Sequence, residues 1–471
     1  MRITQIDLQN FRAFCGAHQI KLDKTGKNLV LYGENGSGKS SFFLALKQFL
    51  YSSLTSESID SYRNIFTPTD EAIIRFHIAD SKNLNNPPTS YEWSTSNPNG
   101  HHHQIIREAA TASGFLDYRC LLETHFLTPA GDRVNVFNIL INILLANIYS
   151  DITRNTFAED WQSITDGFPP RRNSRQAQDL EGRINDFNSG LVTKLQALKE
   201  MLFNIFGRFG YYDVGLDFDF PGVAYNPIQN TLDGQQVILK VQFFSQDIHH
   251  HHKFLNEAKL SAIGLSIYFA ALRLNPDSRL NRFKILVLDD VLIGLDMSNR
   301  LPIIKILQDL FSDYQIFLLT HDLEWYEILK QRLDQNTWKL VDLYCPKTVE
   351  YEIPVFAESK DYLTKAKDYL TNHDYKAAAI YLRTAFEHLL RRFCDKKGLP
   401  VKYKEKAKVL SSDDFWTVVR PEVDPMLANE VEHARELIMN PLSHARIISV
   451  YPAEVSEAID IIVRLKQELQ L

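Results

Sequence analysis

The sequence predicts an α/β protein followed by an all-α region, and three features of its 471 residues lead to this prediction. The apolar stretch "NLVLY" at 28–32 runs into a glycine-rich loop and then into a helical pattern, which gives the order strand, loop, helix. A second apolar stretch, "ILVLDD" at 285–290, ends in two acids. Near residue 354 the composition changes, and from residue 358 onward the apolar residues have helical spacing.

The bulk composition excludes several classes of protein. A net charge of -6 gives no general basic field, so a surface that binds nucleic acid has to be a local patch. No apolar run approaches the roughly 18 residues of a membrane span, and the start, "MRITQIDLQNF", alternates like a strand. The four cysteines are scattered without CxxC spacing, as is typical of reduced thiols. We therefore expect a cytoplasmic protein without membrane contact.

The remaining elements follow in order along the chain. The turn-rich segment 80–104 predicts a loop or a hairpin, and 134–206 is helical with a break at "FPPRRNSRQ". Strand-like stretches return at 211–220 and 236–244, before a helix at 256–274 and the strands "FKILVLDD" and "QIFLLTHD". We divide the chain into an N-terminal lobe, a helical insertion, a second lobe and a helical domain, with the boundaries 1–130, 131–210, 211–354 and 355–471.

The glycine-rich loop has the pattern G-x-x-x-x-G-K-[ST], formed by Gly33, Gly38, Lys39 and Ser40. Glycines let backbone N–H groups turn inward around phosphate oxygens, and the following helix adds its positive dipole. Lys39 would reach the β and γ phosphates, and the Ser40 hydroxyl would bind Mg²⁺. A plain glycine turn is the alternative, but the preceding strand and following helix favour phosphate. The predicted nucleotide-binding set is Gly33, Asn35, Gly36, Ser37, Gly38, Lys39, Ser40 and Ser41.

The two acids that end "ILVLDD" complete such a site. Asp289 would hold the Mg²⁺ shell, often through water, and Asp290 would orient or deprotonate the attacking water. A strand that ends in a solvated acidic turn is the alternative for each acid taken alone. The glycine loop in the same chain favours the catalytic interpretation.

Four stretches together resemble the ABC-type ATPase heads of the SMC/RecF class: "LQNFRAF", "GENGSGKSS", "LVLDDVLIGLD" and "LLTHD". The resemblance covers about residues 1–75 and 235–330. It implies an ABC-type P-loop ATPase head that uses ATP and Mg²⁺, here with a helical insertion. It also implies that Arg12 touches the nucleotide, that Asp296 forms the D-loop and that His321 lies near the γ phosphate. A hydrogen-bonded residue at a strand end is the alternative for His321.

The chain departs from this family at two places. Asp290 stands where Glu is usual, which RecF-like members share, and the shorter carboxylate is expected to slow hydrolysis. In the signature stretch "FLNEAKLSAIGLS", Asn256 replaces a Ser and Ala258 a Gly. Asn is a good helix N-cap, so the helix from Glu257 can still present its N-terminus to a phosphate. In the family that phosphate belongs to a partner subunit, which implies an ATP-sandwiched homodimer.

Three further features leave alternatives open. Thr124 or His125 in "LLETHF" would replace the family's glutamine loop. The runs His101–His103 and His249–His252 have no metal-ligand spacing, so we favour polar or hydrogen-bonding loop residues over nucleotide contacts or a metal. Between 391 and 408 lie eight Lys/Arg and two Asp/Glu, which indicates a solvated helix face or a contact to the phosphates of RNA or DNA.

The C-terminal region contains the amphipathic helix "YKAAAIYLRTAFEHLLRRFCDKKG", with an apolar stripe of Leu382, Ala385, Phe386, Leu389 and Phe393. Arg383 and Glu387 are four residues apart and share a face, as in an ordinary salt bridge. Later, "MNPLSHAR" carries Asn440 and His444.

Arg383, Glu387 and His444 in this order resemble the HEPN-like ribonuclease domains of bacterial anticodon nucleases. The resemblance implies metal-independent RNA cleavage, in which His444 transfers protons, Arg383 stabilises charge and Glu387 orients both. The usual R-[NHD]-x-x-x-H pattern is broken, since Met439 stands at the Arg position. An active ribonuclease and a degenerate dimerisation or docking domain both remain open.

Three functions follow from these features. The compact head resembles ATPases of prokaryotic antiviral defence, such as the Septu and PARIS types. Our main hypothesis is therefore an ATP-binding and hydrolysing sensor and scaffold that controls an effector nuclease during phage infection. It would form homodimers or higher oligomers through the ATP sandwich and the C-terminal domain, and a phage protein would trigger it. The alternatives are an ATP-gated ribonuclease that cuts tRNA, and a RecF-like DNA repair ATPase.

Overall fold

The chain divides into two compact units, Met1–Glu358 and Ser359–Leu471. The computed structural model describes residues 1–55, 57–80, 86–123, 134–168, 175–275, 283–344, 354–358, 362–371, 375–401, 411–439 and 452–470. Predictions on four residues lie outside this part of the chain: Thr124, His125, Asn440 and His444.

Four sheets or hairpins of unit 1 contain all the strands in the described residues. A six-stranded sheet has the order β15-β14-β3-β13-β12-β6, and a four-stranded sheet has the order β2-β1-β4-β5. A three-stranded sheet, β11-β10-β7, and the hairpin β8-β9 complete the set. The strands are β1 Arg2–Phe11, β2 Phe14–Lys21, β3 Asn28–Tyr32, β4 Ile73–Ala79, β5 Thr89–Ser94, β6 Gly114–Asp117, β7 Val214–Asp219, β8 Ala224–Asn226, β9 Thr231–Asp233, β10 Ile238–Phe243, β11 Gln246–Ile248, β12 Ile285–Asp289, β13 Gln315–Thr320, β14 Trp338–Tyr344 and β15 Val355–Glu358.

The helices of the described residues belong to both units. They are α1 Lys39–Tyr51, α2 Gln104–Ala112, α3 Tyr118–Glu123, α4 Phe137–Ile139, α5 Phe157–Asp166, α6 Arg175–Gly207, α7 His251–Phe254, α8 Glu257–Leu274, α9 Met297–Leu310, α10 Leu323–Arg332, α11 Tyr362–Thr371, α12 Tyr375–Lys397, α13 Ser412–Val419, α14 Pro425–Ala434 and α15 Pro452–Glu468. Two 3-10 turns, Ile59–Tyr62 and Arg420–Glu422, and two π-helical turns, Leu140–Leu144 and Arg435–Met439, complete them. None of these helices has the length and hydropathy of a membrane span.

The six-stranded sheet positions the functional residues. Strands β14, β3, β13, β12 and β6 run parallel, and only the edge strand β15 is antiparallel. Every residue of β12 and β13 is buried, as their continuous apolar runs predict. Because parallel strands end at the same edge, the residues after β3, β12 and β13 meet there. The prediction of an α/β head followed by a helical region is confirmed.

The four-stranded sheet packs against the glycine-loop helix α1. Ile6, Leu8 and Phe76 alternate with outward-facing polar residues and share one apolar core with Phe42 and Phe49 of α1. The turn-rich segment 80–104, predicted as a loop or a hairpin, contains the strand β5, which pairs antiparallel with the preceding strand β4. Its described residues thus form the second strand of a hairpin and the turns that follow it.

The helical insertion lies against the head. α6 packs on α8, and its buried residues include Leu191, Leu195 and Leu198 in the same core as Ile263 of α8. α5 begins with a capping box in which Thr156 and Glu159 exchange hydrogen bonds. Within 134–206, the helical prediction is confirmed for Phe137–Ile139, Leu140–Leu144, Phe157–Asp166 and the part of Arg175–Gly207 in this range, whereas 145–156 form turns. The long helix α6 is part of the core of unit 1.

Unit 2 is a helical bundle with its own core. The predicted apolar stripe of α12 is buried along its whole length, from Leu382 to Phe393. Arg435 is also buried, and its guanidinium lies over the rings of Phe386 and Trp416, 5.5 and 5.9 Å from their centroids. It pairs with Glu432 at 2.9 Å and with Asp413. This cation therefore joins α12, α13 and α14.

We expect Arg435→Ala to destabilise unit 2 by about 2–3 kcal/mol, because it removes both a buried ion pair and two ring contacts. Calorimetry of the full chain would measure the loss. Arg464→Ala is the matched control, since Arg464 is half-exposed and pairs with Glu430 at the surface. An exposed pair contributes at most about 1 kcal/mol, so equal losses in both variants would contradict the prediction.

Candidate nucleotide-binding site

The glycine loop, residues 33–38, joins β3 to α1 in a shape that requires glycine. Gly36 and Gly38 have φ angles of +87° and +104°, which L side chains rarely adopt. A Cβ atom on Gly33 would lie 2.6 Å from the Leu343 carbonyl oxygen, so the loop passes directly against β14. Among the described residues, the buried hydroxyl of Ser37 has no hydrogen-bond partner. No side chain in this part of the chain caps α1, so the first N–H groups of the helix can bind an anion.

Lys39 lies inside the loop. Its side chain is 5% exposed, and its Nζ donates to the carbonyl oxygens of Gly33 at 2.7 Å and Glu34 at 3.2 Å. Burial lowers the pKa of Lys39, and the charges of Asp290 and Asp289 offset this only in part. Its hydrogen bonds are to backbone carbonyls and its ion pair with Asp290 is long, at 3.8 Å, so the ammonium can turn to phosphate oxygens by exchanging the two carbonyl contacts.

Asp289 is a buried carboxylate with one oxygen left unbonded. Its side chain is 7% exposed, Oδ2 accepts from the Ser40 hydroxyl at 3.4 Å, and Oδ1 has no hydrogen-bond partner among the described residues. Burial and the charge of Asp290 raise its pKa to about 7. A buried carboxylate oxygen without a hydrogen bond, together with a neighbouring hydroxyl, supplies the oxygen ligands that Mg²⁺ prefers, so Ser40 and Asp289 fit the cation.

Asp117 is a third acid here, and the sequence analysis missed it. It ends β6 and is the register partner of Asp289 on the adjacent parallel strand β12. Its charge helps to raise the pKa of Asp289, and its Oδ1 accepts from the Cys120 N–H at 2.8 Å. The stretch "GFLD" is short and apolar and ends in an acid, which is a possible signal of a strand end. The sequence does not show that this strand lies beside β12, because the two are far apart along the chain.

Asp290 and His321 form a pair. Asp290 Oδ1 accepts from both the backbone N–H and the ring Nδ1 of His321, each at 2.9 Å. Asp290 Oδ2 lies 3.8 Å from Lys39 Nζ. Asp290 has a φ of +53°, in the left-handed region that few residues other than glycine adopt. The structure therefore brings Lys39, Asp290 and His321 together.

Arg12 borders a hollow beside the glycine loop. Its backbone N–H donates to the Tyr62 carbonyl at 2.7 Å, and its carbonyl accepts from Asn64 Nδ2 at 2.5 Å. Arg12, Ala13 and Ser41 line one side of a cavity of about 680 Å³, and residues 61–66 line the other. A cavity of this volume has the size of a small-molecule site.

Asn256 and Asp296 begin two other helices. Asn256 Oδ1 accepts from the Lys259 N–H at 3.0 Å and caps α8, whereas Asp296 precedes α9 without a side-chain cap bond. Among the described residues, neither side chain hydrogen-bonds to the glycine loop of its own chain. Between them, Gly294 packs against α8, and a Cβ on it would lie 2.3 Å from Ser261 Oγ.

The sequence matches the AAA_23 family, described as an AAA domain, over residues 5–368. The chain belongs to this family. As an AAA domain protein it is an ATPase. The predicted ATPase class is confirmed. No curated protein matches the chain.

Several solved structures are similar to the AAA domain protein at low identity. RecF, a recombination mediator protein solved with ATP, is 12% identical, with 76% of this chain and 98% of that chain covered and a TM-score of 0.49. The Smc head domain of Pyrococcus furiosus, bound to the C-terminal domain of ScpA, is 12% identical, with coverages of 79% and 99% and a TM-score of 0.44. The SMC head of Thermotoga maritima is 14% identical, with coverages of 76% and 100% and a TM-score of 0.35.

The two histidine runs of the AAA domain protein have different surroundings. His101 is buried, its Nε2 lies 2.8 Å from Ser52 Oγ, and burial lowers its pKa to about 3. His103 begins α2 and accepts from the Ile105 N–H. His251 is also buried, in α7. In the described part of the chain, no group of three or more His, Cys, Asp or Glu side chains could hold a metal ion.

In unit 2, Arg383 and Glu387 lie together on α12. Arg383 Nε donates to Glu387 Oε1 at 3.2 Å, and the two side chains are 28% and 33% exposed. Both charged groups are therefore partly buried partners on one face of α12. His444, the third predicted residue of this site, lies outside the described residues.

We expect Asp289→Asn to stabilise the nucleotide-free protein at pH 8 but not at pH 4. The native pKa of about 7 exceeds the ordinary value of 3.8, so the native state binds more protons between these pH values and loses stability as pH rises. Three units correspond to about 4 kcal/mol. Thermal unfolding from pH 4 to 8 would measure this. A pH dependence equal to that of the wild type would contradict it.

Proposed function

We propose that this AAA domain protein hydrolyses ATP with Mg²⁺ and that hydrolysis switches a homodimer between two states. The observation that carries the proposal is the meeting of Lys39, Asp289, Asp290 and His321 at one edge of the parallel sheet. A phosphate-binding loop, a cation site and a paired acid in one place have the chemistry of phosphoryl transfer to water.

In this proposal, Lys39 and the N–H groups of residues 36–41 bind the β and γ phosphates. Ser40 and Asp289 hold Mg²⁺, which when bound neutralises phosphate oxygens. Asp290 Oδ2 orients the attacking water and accepts its proton, while the water oxygen bonds to the γ phosphorus and the bond to ADP breaks. Because Asp290 accepts from Nδ1 of His321, the ring presents Nε2 towards the γ phosphate.

The hollow beside Arg12 supports a position for the nucleoside. Ser41 belongs both to the glycine loop helix and to the lining of this hollow, so a nucleotide bound at the loop reaches it directly. We propose that the base and ribose lie there and that Arg12 contacts the nucleotide.

We propose that a second copy completes the site. The N-terminus of α8, capped by Asn256, and the D-loop residue Asp296 would each face the partner's nucleotide. Their lack of hydrogen bonds to the loop of their own chain, among the described residues, supports this assignment. The dimer would form with ATP and open after hydrolysis, as the ATP sandwich of the resembled family implies.

For unit 2, we propose that this switch makes the protein a sensor and scaffold that controls an effector nuclease in antiphage defence. The pair of Arg383 and Glu387 favours a second candidate, an ATP-gated ribonuclease that cuts tRNA with His444. RecF-like DNA repair is a third hypothesis. Salt-sensitive binding of duplex DNA that ATP stimulates would support it.

A measurement of RNA integrity separates the first two candidates. Cells would express the wild type, His444→Ala or Arg383→Ala during phage challenge, with and without the neighbouring genes. If this chain is the nuclease, tRNA fragments should appear with the wild type and be lost in both variants, because proton transfer or charge stabilisation is removed. Fragments that persist in both variants would contradict the ribonuclease. Toxicity that needs a neighbouring gene and survives both substitutions would support the scaffold.

A further inference from the structure

One buried arginine of unit 1 lies beside the proposed catalytic residues. Arg300, in the first turn of α9, is 8% exposed. Its Nε donates to the Leu295 carbonyl at 2.8 Å, and its Nη1 donates to Asp322 Oδ2 at 2.6 Å. The guanidinium lies over the Trp325 ring, 6.0 Å from the centroid. The planar guanidinium of Arg300 thus hydrogen-bonds two segments that are far apart in sequence, one through Leu295 and the other through Asp322.

Both segments lead directly to the proposed site. Leu295 precedes Asp296 in the loop that begins with Asp290, and Asp322 follows His321 at the end of β13. Asp322 Oδ1 also accepts from the Trp325 N–H at 3.0 Å and caps α10. Burial would raise the pKa of Asp322, but the hydrogen bonds from Arg300 and from Trp325 lower it below its usual value. Asp322 is therefore a charged partner of Arg300.

The space between these segments is filled. Asp290, Val291, Leu292, Ile293, Arg300 and Asp322 are among the residues that line a cavity of only about 10 Å³. Such a space has room for about one water at most, so no continuous layer of water separates the two segments. Gly294 extends this contact to Ser261 of α8. A shift of one segment must therefore move the other.

We infer that Arg300 is a positioning residue for ATP hydrolysis. It holds the loop of Asp296 and the end of β13 in one block, so that the position of Asp296 sets the position of His321 against Asp290. Because Asp296 would face the partner subunit, Arg300 links dimer contact to the catalytic pair. This inference rests on the proposed hydrolysis and dimer.

The test uses Arg300→Gln, Arg300→Lys and Asp322→Asn in the full chain. Asn keeps the cap of α10 and removes only the charge. We expect kcat to fall about 10- to 100-fold in all three, because small misplacements of reacting groups have effects of this size. The Kd for ATP should stay within about 2-fold, since Arg300 does not touch the phosphate loop. Arg300→Lys should fail to restore kcat, because an ammonium lacks the planar set of N–H donors with which a guanidinium reaches both segments.

Two controls separate positioning from general stability. Arg273→Gln removes a more exposed ion pair with Asp313 and a similar ring contact with Phe311, and should lower Tm slightly without lowering kcat per folded molecule. The double variant of Arg300→Gln and Asp322→Asn should be no slower than the slower single variant. If Arg300→Gln lowers only Tm, or if the two single effects add, the positioning role is wrong.

A second readout does not need hydrolysis. Hydrogen exchange should become faster in both 290–296 and 320–323 when Arg300 is replaced by Gln, because one side chain holds both segments. Faster exchange in one segment alone, or in neither, would overturn the inference. If the Lys39→Ala variant still released phosphate at the wild-type rate, the proposed ATP hydrolysis at this site would be refuted. The hydrogen-exchange result would still decide whether Arg300 holds the two segments together.

Discussion

Replacing Lys39 with alanine is expected to weaken ATP binding and to lower ATP hydrolysis by about 100- to 1,000-fold each. The ammonium is the only cation inside the glycine loop among the described residues, at 5% exposure. Losing a desolvated charge contact to phosphate costs about 3–5 kcal/mol, and each 1.36 kcal/mol is a factor of ten. Titration with a fluorescent ATP analogue and phosphate release would measure both quantities.

Lys47→Ala is the matched control for this prediction. Lys47 lies on the same helix α1, outside the glycine loop, and its Nζ is 6.0 Å from the Phe43 ring centroid. Its removal should leave ATP binding and turnover unchanged. If Lys39→Ala binds ATP as tightly as Lys47→Ala, the loop is not the phosphate site.

Asp290→Asn is expected to lower ATP hydrolysis by about 100- to 10,000-fold while ATP binding is kept, since this is the range that a general base contributes. Asn preserves the size of the side chain, an oxygen that accepts from His321 and the tolerance of a φ of +53°. What it lacks is the charge that takes a proton from water. The variant should therefore hold ATP and accumulate as the ATP-bound dimer, which mass photometry with and without ATP would detect.

Asp309→Asn supplies the comparison for Asp290→Asn. Asp309 is a half-exposed carboxylate of α9 that pairs with Arg208, so its loss should alter neither turnover nor assembly. Turnover at the wild-type rate in Asp290→Asn would show that another group activates the water. Monomers at saturating ATP, despite slow turnover, would preserve the catalytic role and refute the dimer.

Much of the candidate site could be predicted because its parts are local in sequence. The turn of the glycine loop, its strand and its helix are consecutive, and only glycine adopts the φ angles of Gly36 and Gly38 with ease. The acids Asp289 and Asp290 were found because they end a strongly apolar run. Likewise, the helical spacing of the apolar residues in α12 predicts an apolar stripe, and this stripe is buried.

Other parts could not be predicted, because they depend on which strands are neighbours. Asp117 lies beside Asp289 only because β6 pairs with β12, which lies about 170 residues later in the chain. The two adjacent acids also have different environments. Asp289 has an unpaired buried oxygen, whereas Asp290 turns to His321, and the sequence "DD" does not distinguish them.

The sequence by itself determined the glycine loop, the class of the head and the helical character of the second unit, because each depends on residues within one or two turns of one another. Only the tertiary structure decided which side chains meet at the edge of the parallel sheet and that Arg300 joins the segments of Asp296 and His321. The physical reason is that a parallel sheet brings strand ends together in an order set by packing, which the order along the chain does not specify.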